Sequence, residues 1–303
     1  MWDKLIECVP NISEGRDRET IQAAVEAIRE VKEARILDVE SDPDHNRSVL
    51  TFVGTPEGVK EAVFKLFEAV LPRIDLRRHR GEHPRMGAVD VVPLVPVRGV
   101  TMEDCVSLSR EIGKGIWERF RVPVYLYANS ATRPEREELA AIRKGEFEGF
   151  AEKIKDPTWA PDFGEPEIHP TAGVVAVGAR EFLIAFNVNL GTSDLRVAKA
   201  IAKAVRGSSG GLRYVKALGF ALEERGIVQV SMNLTNYKKT PIPRVLELVR
   251  REAARYGVPV IGTEIVGLVP QEALDQVVEY YLQLENFTPR MVLERRLAEE
   301  LSR

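Results

Sequence analysis

Two cysteines and four histidines are all that a chain of 303 residues offers for thiol or imidazole chemistry. Cys8 and Cys105 each sit among apolar neighbours and lack CxxC spacing, so they read as buried free thiols rather than a disulfide or a metal site. No run of 18 or more apolar residues is present, which excludes a helix that spans a membrane. The opening residues 1–7 have neither a basic stretch nor a long apolar core. No secretory signal is therefore expected, and the chain reads as soluble and cytoplasmic. A net charge of -3 and the lack of an aromatic RNP1 pattern argue against general nucleic-acid binding. An anionic partner has to be met locally. Asn and Gln are scarce beside Glu, Arg and Lys, the composition of a heat-adapted protein.

What the chain does carry is one pattern written twice. Residues 5–9 form a short apolar strand closed by Pro10-Asn11, and from Asp17 onward Ile21, Val25, Ile28 and Val31 recur at helical spacing. Residues 34–39 and 48–53 read as strands on either side of a polar turn. Thr55 caps a helix that has Pro56 at its start and Val59, Val63, Leu66, Phe67 and Val70 along one face. Residues 89–97 are the next strand. The order β-α-β-β-α-β is the ferredoxin-like arrangement. It recurs as strand 182–188, helix 195–205, strands 212–219 and 227–234, helix 245–256 and strand 260–266. The fold class is thus α+β, with two ferredoxin-like subdomains in domains 1–180 and 181–303. Between the two passes lie a helix opened by Thr101 and Asp104, a strand at 122–127 and an acidic helical stretch at 135–150, which extend the first subdomain. Residues 156–173, with four prolines and little periodicity, are expected to cross toward the second. Residues 207–211 lack the adjacent lysine-plus-hydroxyl pair of a phosphate-binding loop and read as a plain turn.

The densest chemistry is Arg77-Arg78-His79-Arg80-Gly81-Glu82-His83-Pro84-Arg85-Met86-Gly87, a loop delivered to one end of a sheet. Pro84 restricts His83 toward extended geometry and removes a backbone donor. An imidazole fixed there titrates near neutrality, so it can take a proton from an attacking amine and return it to a leaving one. Neighbouring arginines keep it neutral, as a base requires. The same residues also read as a solvated charged loop, and nothing in the sequence orients His79. His79 and His83 are four apart, as in the helical H-E-x-x-H zinc motif, but Gly81 and Pro84 break a helix and no metal is expected. A second cluster, Glu40-Ser41-Asp42-Pro43-Asp44-His45-Asn46-Arg47, is either an Asx-rich turn or a carboxylate that orients an imidazole, with Arg47 as a fork for a substrate carboxylate. Asn11 and Ser13 are either neutral hydrogen-bonders or helix-entry caps.

Taken together, Glu7-Cys8-Val9-Pro10-Asn11-Ile12-Ser13-Glu14-Gly15, Arg80-Gly81-Glu82-His83-Pro84-Arg85-Met86-Gly87 and Trp159-Ala160-Pro161-Asp162-Phe163-Gly164 resemble the formiminotransferase domain of the formiminotransferase-cyclodeaminase family, along nearly the whole chain. The resemblance implies two ferredoxin-like subdomains, a homodimer and a step of histidine degradation. The implied reaction passes the formimino group of N-formimino-L-glutamate to N5 of tetrahydrofolate, the co-substrate. It implies His83 as the acid-base group and Glu40 as its carboxylate partner, where relatives carry an aspartate. It implies a folate-contacting segment, here Gly164-Glu165-Pro166-Glu167-Ile168-His169-Pro170-Thr171-Ala172-Gly173, with Asn11 and Arg47 as further binding candidates. The chain stops at Arg303 without a cyclodeaminase domain, so ammonia release is expected of a separate protein. Competing readings are another folate one-carbon reaction (a formyl group on glutamate, a formimino group on glycine, or closure of 5-formyltetrahydrofolate), a non-catalytic folate binder, and an RNA-binding sheet.

Overall fold

Strand β1 (Leu5–Cys8) breaks at Val9-Pro10 and resumes as β2 (Asn11–Ile12) in a computed structural model that describes residues 2–301. Proline has no N–H to give to a ladder, which accounts for the break. Helix α1 (Arg18–Arg29) is capped by Asp17, whose carboxylate accepts from the Glu19 N–H. The helix-entry role open to Asn11 and Ser13 therefore falls to Asp17, the first carboxylate able to reach the free N–H groups of the opening turn. Strands β3 (Ala34–Asp42) and β4 (Arg47–Gly54) form a hairpin, and Thr55 caps α2 (Pro56–Val70) by accepting from the Gly58 N–H. Strand β5 (Val89–Arg98) completes the pattern.

In the sheet the interrupted β1/β2 strand lies between β4 and β5, antiparallel to both, and β3 lies beyond β4. This second-third-first-fourth order is the ferredoxin-like one expected from the sequence. Ile6, Cys8, Phe52, Val63, Leu66 and Phe67 share one core between the sheet and its helices. Both cysteines are free and buried, and burial raises their thiol pKa values.

The first unit is extended further than expected. Helix α3 (Met102–Phe120) starts with a reciprocal Thr101–Asp104 capping box and leads to β6 (Val124–Leu126). The acidic stretch is not one helix but two, α4 (Leu139–Arg143) and α5 (Glu146–Lys153), parted at Lys144-Gly145, where Gly145 has φ 97°. Residues 156–173 do not cross between domains. The Phe163 carbonyl accepts from the Val124 N–H, and the Asp162 carboxylate accepts from the Leu126 N–H and pairs with the buried Arg136 at 2.7 Å. The chain then forms an additional strand, β7 (Val175–Ala179), parallel to both β5 and β6. A short, wholly apolar run of this kind is consistent with a strand buried on both faces, which shows no alternation.

The second unit comprises β8 (Ile184–Leu190), α6 (Leu195–Val205), β9 (Val215–Leu222), β10 (Ile227–Leu234), α7 (Ile242–Arg255) and β11 (Val260–Val266). Its antiparallel order β11-β8-β10-β9 repeats the same topology around a separate core that includes Phe186, Ile201, Val230 and Val245. Helices α8 (Gln271–Leu282) and α9 (Leu293–Leu301) follow. Among the described residues, no helix is long and apolar enough to cross a membrane.

Gly87 joins the histidine loop to the added strand. A Cβ there would lie 2.1 Å from the Val174 carbonyl oxygen and 2.6 Å from that of Val89, both backbone atoms. Gly87→Ala should lower the unfolding free energy in urea by about 1–3 kcal/mol, the usual cost of overpacking; an unchanged midpoint would contradict this seam.

Candidate active site

Three segments of the first unit converge on Asn46. This residue is buried at the end of the β3–β4 turn with φ 48°, a left-handed conformation that asparagine tolerates better than most side chains. Its amide oxygen accepts from the Gly15 N–H at 2.9 Å, and its amide nitrogen donates to the Arg80 carbonyl at 3.0 Å. Its own carbonyl accepts from His79 Nε2 at 2.9 Å. The backbones come so close that a Cβ on Gly15 would sit 2.2 Å from the Asp42 carbonyl oxygen, and one on Gly81 would sit 2.3 Å from that of His45. Ser13 adds a bond from its hydroxyl to the Gly87 carbonyl at 2.7 Å.

His79 is not the unoriented bystander that the sequence suggests. It is buried, and Arg85 Nε donates to its Nδ1 at 3.1 Å. A nitrogen that accepts from a guanidinium carries no proton, so the hydrogen belongs on Nε2, the atom that faces the Asn46 carbonyl. Both ring nitrogens are thereby taken, and burial, with Arg85 beside it, lowers the pKa of the ring. Arg85 in turn makes a forked pair with Glu148 at 2.5 and 2.7 Å and reaches Glu146 at 3.1 Å, which fastens the loop to the start of α5. Among the described residues, no group of three His, Cys, Asp or Glu side chains is placed to hold a metal ion.

Ser13, His45, Asn46, Arg47, His79, His83, Arg85 and Asp90 line one small cleft. His83 is half-buried, and its ring meets that of His45 edge-on, with centroids 6.2 Å apart. His45 is oriented by Asp42, whose carboxylate lies 2.7 Å from Nδ1. Burial is the main reason that the His83 pKa falls to about 3, with the cations of Arg47 and Arg143 adding to the effect and Asp90 opposing it. At neutral pH the ring is an uncharged base. Arg47 is itself pressed downward, first by burial and then by Arg143, while Asp90, Asp42 and Glu40 support its charge. Its guanidinium has no hydrogen-bonded carboxylate among the described residues, which leaves its fork open to an anion.

Glu40 stands half-buried on β3 opposite Val49, and its charge acts on Arg47; Asp90 is a carboxylate whose charge acts on His83. Asn11 lies within the sheet with its amide nitrogen on the Val9 carbonyl. Of the segment 164–173, Glu165, Pro166, Glu167 and Pro170 are exposed, Gly164 has φ 123°, and Ile168 packs on the core under β7. His169 exchanges backbone hydrogen bonds with Gly173 at 2.9 and 3.0 Å, its Nδ1 accepts from the Ala172 N–H, and burial lowers its pKa. The carbonyls of Thr171 and Ala172 accept from the Leu76 and Ala88 N–H groups, so this segment borders the histidine loop.

Sequence reasoning missed Asp90 and Arg143. Arg143 donates from Nε to Asp90 Oδ2 at 2.7 Å, and its terminal nitrogen forms an ion pair with the same oxygen at 2.5 Å; Asp90 is 2% exposed. The one available signal was a lone carboxylate inside the apolar run of β5, since a buried charge demands a partner.

The fold and the cleft define an α+β protein of two ferredoxin-like units, the first of which carries a site of buried histidines and arginines. Family models place it more closely. That described as "Formiminotransferase domain, N-terminal subdomain" matches residues 5–180, and that described as "Formiminotransferase domain" matches residues 185–297. The chain belongs to the formiminotransferase domain family. It is similar to a glutamate formimidoyltransferase of Streptococcus pyogenes serotype M1, at 49% identity over 97% of this chain and 99% of that protein. It is also similar to one of Thermoplasma acidophilum, at 53% identity over 97% of each. A formimidoyltransferase-cyclodeaminase of Rattus norvegicus is 44% identical over 93% of this chain, which spans 53% of that longer protein.

Two outcomes follow from this geometry. Asn46→Ala removes two side-chain hydrogen bonds and leaves alanine in a left-handed conformation, so it should destabilise the protein by about 2–4 kcal/mol, while Asn46→Gly, free of the backbone penalty, should cost less. Calorimetric melting checks the order. Because His83 ionises far below its ordinary 6.5, the unfolded chain binds more protons between those pH values. Stability should therefore fall as pH drops below about 6.5, and His83→Gln should flatten that fall in urea titrations at several pH values.

Proposed function

We propose that this protein is a glutamate formimidoyltransferase, which moves the formimino group of N-formimino-L-glutamate to N5 of tetrahydrofolate and gives 5-formiminotetrahydrofolate and L-glutamate. The observation that carries the reading is an uncharged His83 beside an unpaired Arg47 in one cleft, in a chain 49% and 53% identical to full-length proteins of that name. Transfer from one amine to another needs a group that can accept a proton and give it back.

In this reading N5 attacks the formimino carbon, and His83 takes the N5 proton as the new C–N bond forms. The C=N π pair moves onto the formimino nitrogen, and the tetrahedral carbon then holds three nitrogens: N5, the formimino nitrogen and the glutamate nitrogen, until that pair returns as the glutamate nitrogen leaves. His83 returns the proton to the glutamate nitrogen, and the C–N bond to glutamate breaks. One proton moves twice and none is consumed. Arg47 receives a carboxylate of the donor, with Glu40 supporting its charge. A bound carboxylate also offsets the cation that weakens His83 as a base, so the donor itself brings the imidazole toward working strength. Asn11 and the segment 164–173 are assigned to the folate side. The depressed His83 pKa makes its imidazolium a ready acid for the departing nitrogen.

The test is turnover of formiminoglutamate with tetrahydrofolate, followed by folate absorbance; no product from this donor sinks the proposal, and formylglutamate or formiminoglycine serve as competing donors. His83→Gln should lower kcat by roughly 10²- to 10⁴-fold with the fold intact. Arg47→Gln should act mainly on the KM of the donor, by roughly 10- to 100-fold, the worth of a charged hydrogen-bond pair.

A further inference from the structure

Asp90 is placed unusually for a carboxylate. It lies inside β5, and its Oδ1 accepts from the N–H groups of Met86 at 2.7 Å and Gly87 at 3.3 Å, which close the histidine loop three and four residues after His83. Its Oδ2 is held by the Arg143 fork. Arg143 ends α4, a helix of five residues that would not stand alone. That helix is clamped by Lys153, whose ammonium donates to the carbonyls of Ala141, Ile142 and Lys144 at 2.7, 2.6 and 3.0 Å and lies 4.0 Å from the centre of the Trp159 ring. The pair is thus built from three elements, and Asp90 opens onto the same cleft as His83.

We infer that Asp90, gripped by Arg143, is the positioning residue of His83: it ties down the end of the loop that carries the imidazole and provides the countercharge for the imidazolium formed during transfer. The inference rests on the acid-base reading of His83 given above. Glu40, the carboxylate suggested by the sequence, is among the charges that support Arg47. The charges that bear on the ring come from His45 and Arg47 at the hairpin turn, Asp90 on β5 and Arg143 on α4, while His79 and Arg85 share its loop. The two halves of the pair act on the ring in opposite senses, Arg143 disfavouring its protonation and Asp90 favouring it.

The test follows the four histidine rings by NMR across pH in the ligand-free protein, alongside steady-state kinetics. Arg143→Gln should move the His83 titration upward by roughly one pH unit, whereas Asp90→Asn, which keeps an oxygen for the Met86 and Gly87 N–H groups, should move it down. Arg143→Lys retains the charge and should leave it near the wild-type position, which keeps the comparison available if the Gln variant folds poorly. Asp90→Asn should also lower kcat by roughly 10- to 100-fold, the loss typical of an orienting partner, with little change in the KM of the donor. Shifts in the same direction for both charge-removing variants, or no shift, would overturn the inference, as would an Asp90→Asn enzyme with wild-type kcat. The ring titration decides the positioning role even if formiminoglutamate proves not to be the substrate.

Discussion

Asn46 binds together three stretches of chain that have little else in common: the entry to α1, the β3–β4 turn and the histidine loop. It does so with both ends of its amide and with its own carbonyl, from a backbone conformation that most residues avoid. Gly15 and Gly81 allow the approach, because any side chain there would strike backbone oxygen. Without this tie neither His79 nor the loop that follows it has a fixed place, and the Arg85 link to α5 loses its inner anchor. A loop of eleven polar-rich residues is thereby held with the rigidity of a sheet end, which is what effective positioning of two substrates demands.

The electrostatics of the cleft follow from that packing. Arg85 is paired with Glu146 and Glu148, and Arg143 with Asp90. Arg47 is left over. His83, half-buried beside these cations, is held uncharged. Among the described residues lining the cleft, an uncharged base thus stands beside a guanidinium with no hydrogen-bonded carboxylate, an arrangement suited to an anion. In the proposed reaction, an anion bound at Arg47 changes the field at the imidazole and so couples substrate occupancy to base strength.

Much of the fold was legible because strand and helix periodicities are local. Both β-α-β-β-α-β passes, the Thr55 and Thr101 caps and the loop before β5 could be read directly. The strand β7 and the inward path of residues 156–173 could not, since a short apolar run and a proline-rich stretch say little about where they pack. In the site, His83 and Arg47 stood out as clustered polar residues near strand ends. Asp90 was hidden in an apolar strand, and Arg143 in an acidic stretch 53 residues later, so only three-dimensional pairing reveals them. His79 misled for the same reason: its partners Asn46 and Arg85 are set by the tertiary fold.

The proposed reaction depends on His83 exchanging a proton with N5 of the folate. A crystal structure with a tetrahydrofolate analogue and glutamate bound tests this most directly. It should place an imidazole nitrogen of His83 within about 2.6–3.2 Å of N5, or one water away, with a glutamate carboxylate on Arg47. An analogue whose N5 lies well beyond that reach, against another side chain, would contradict it.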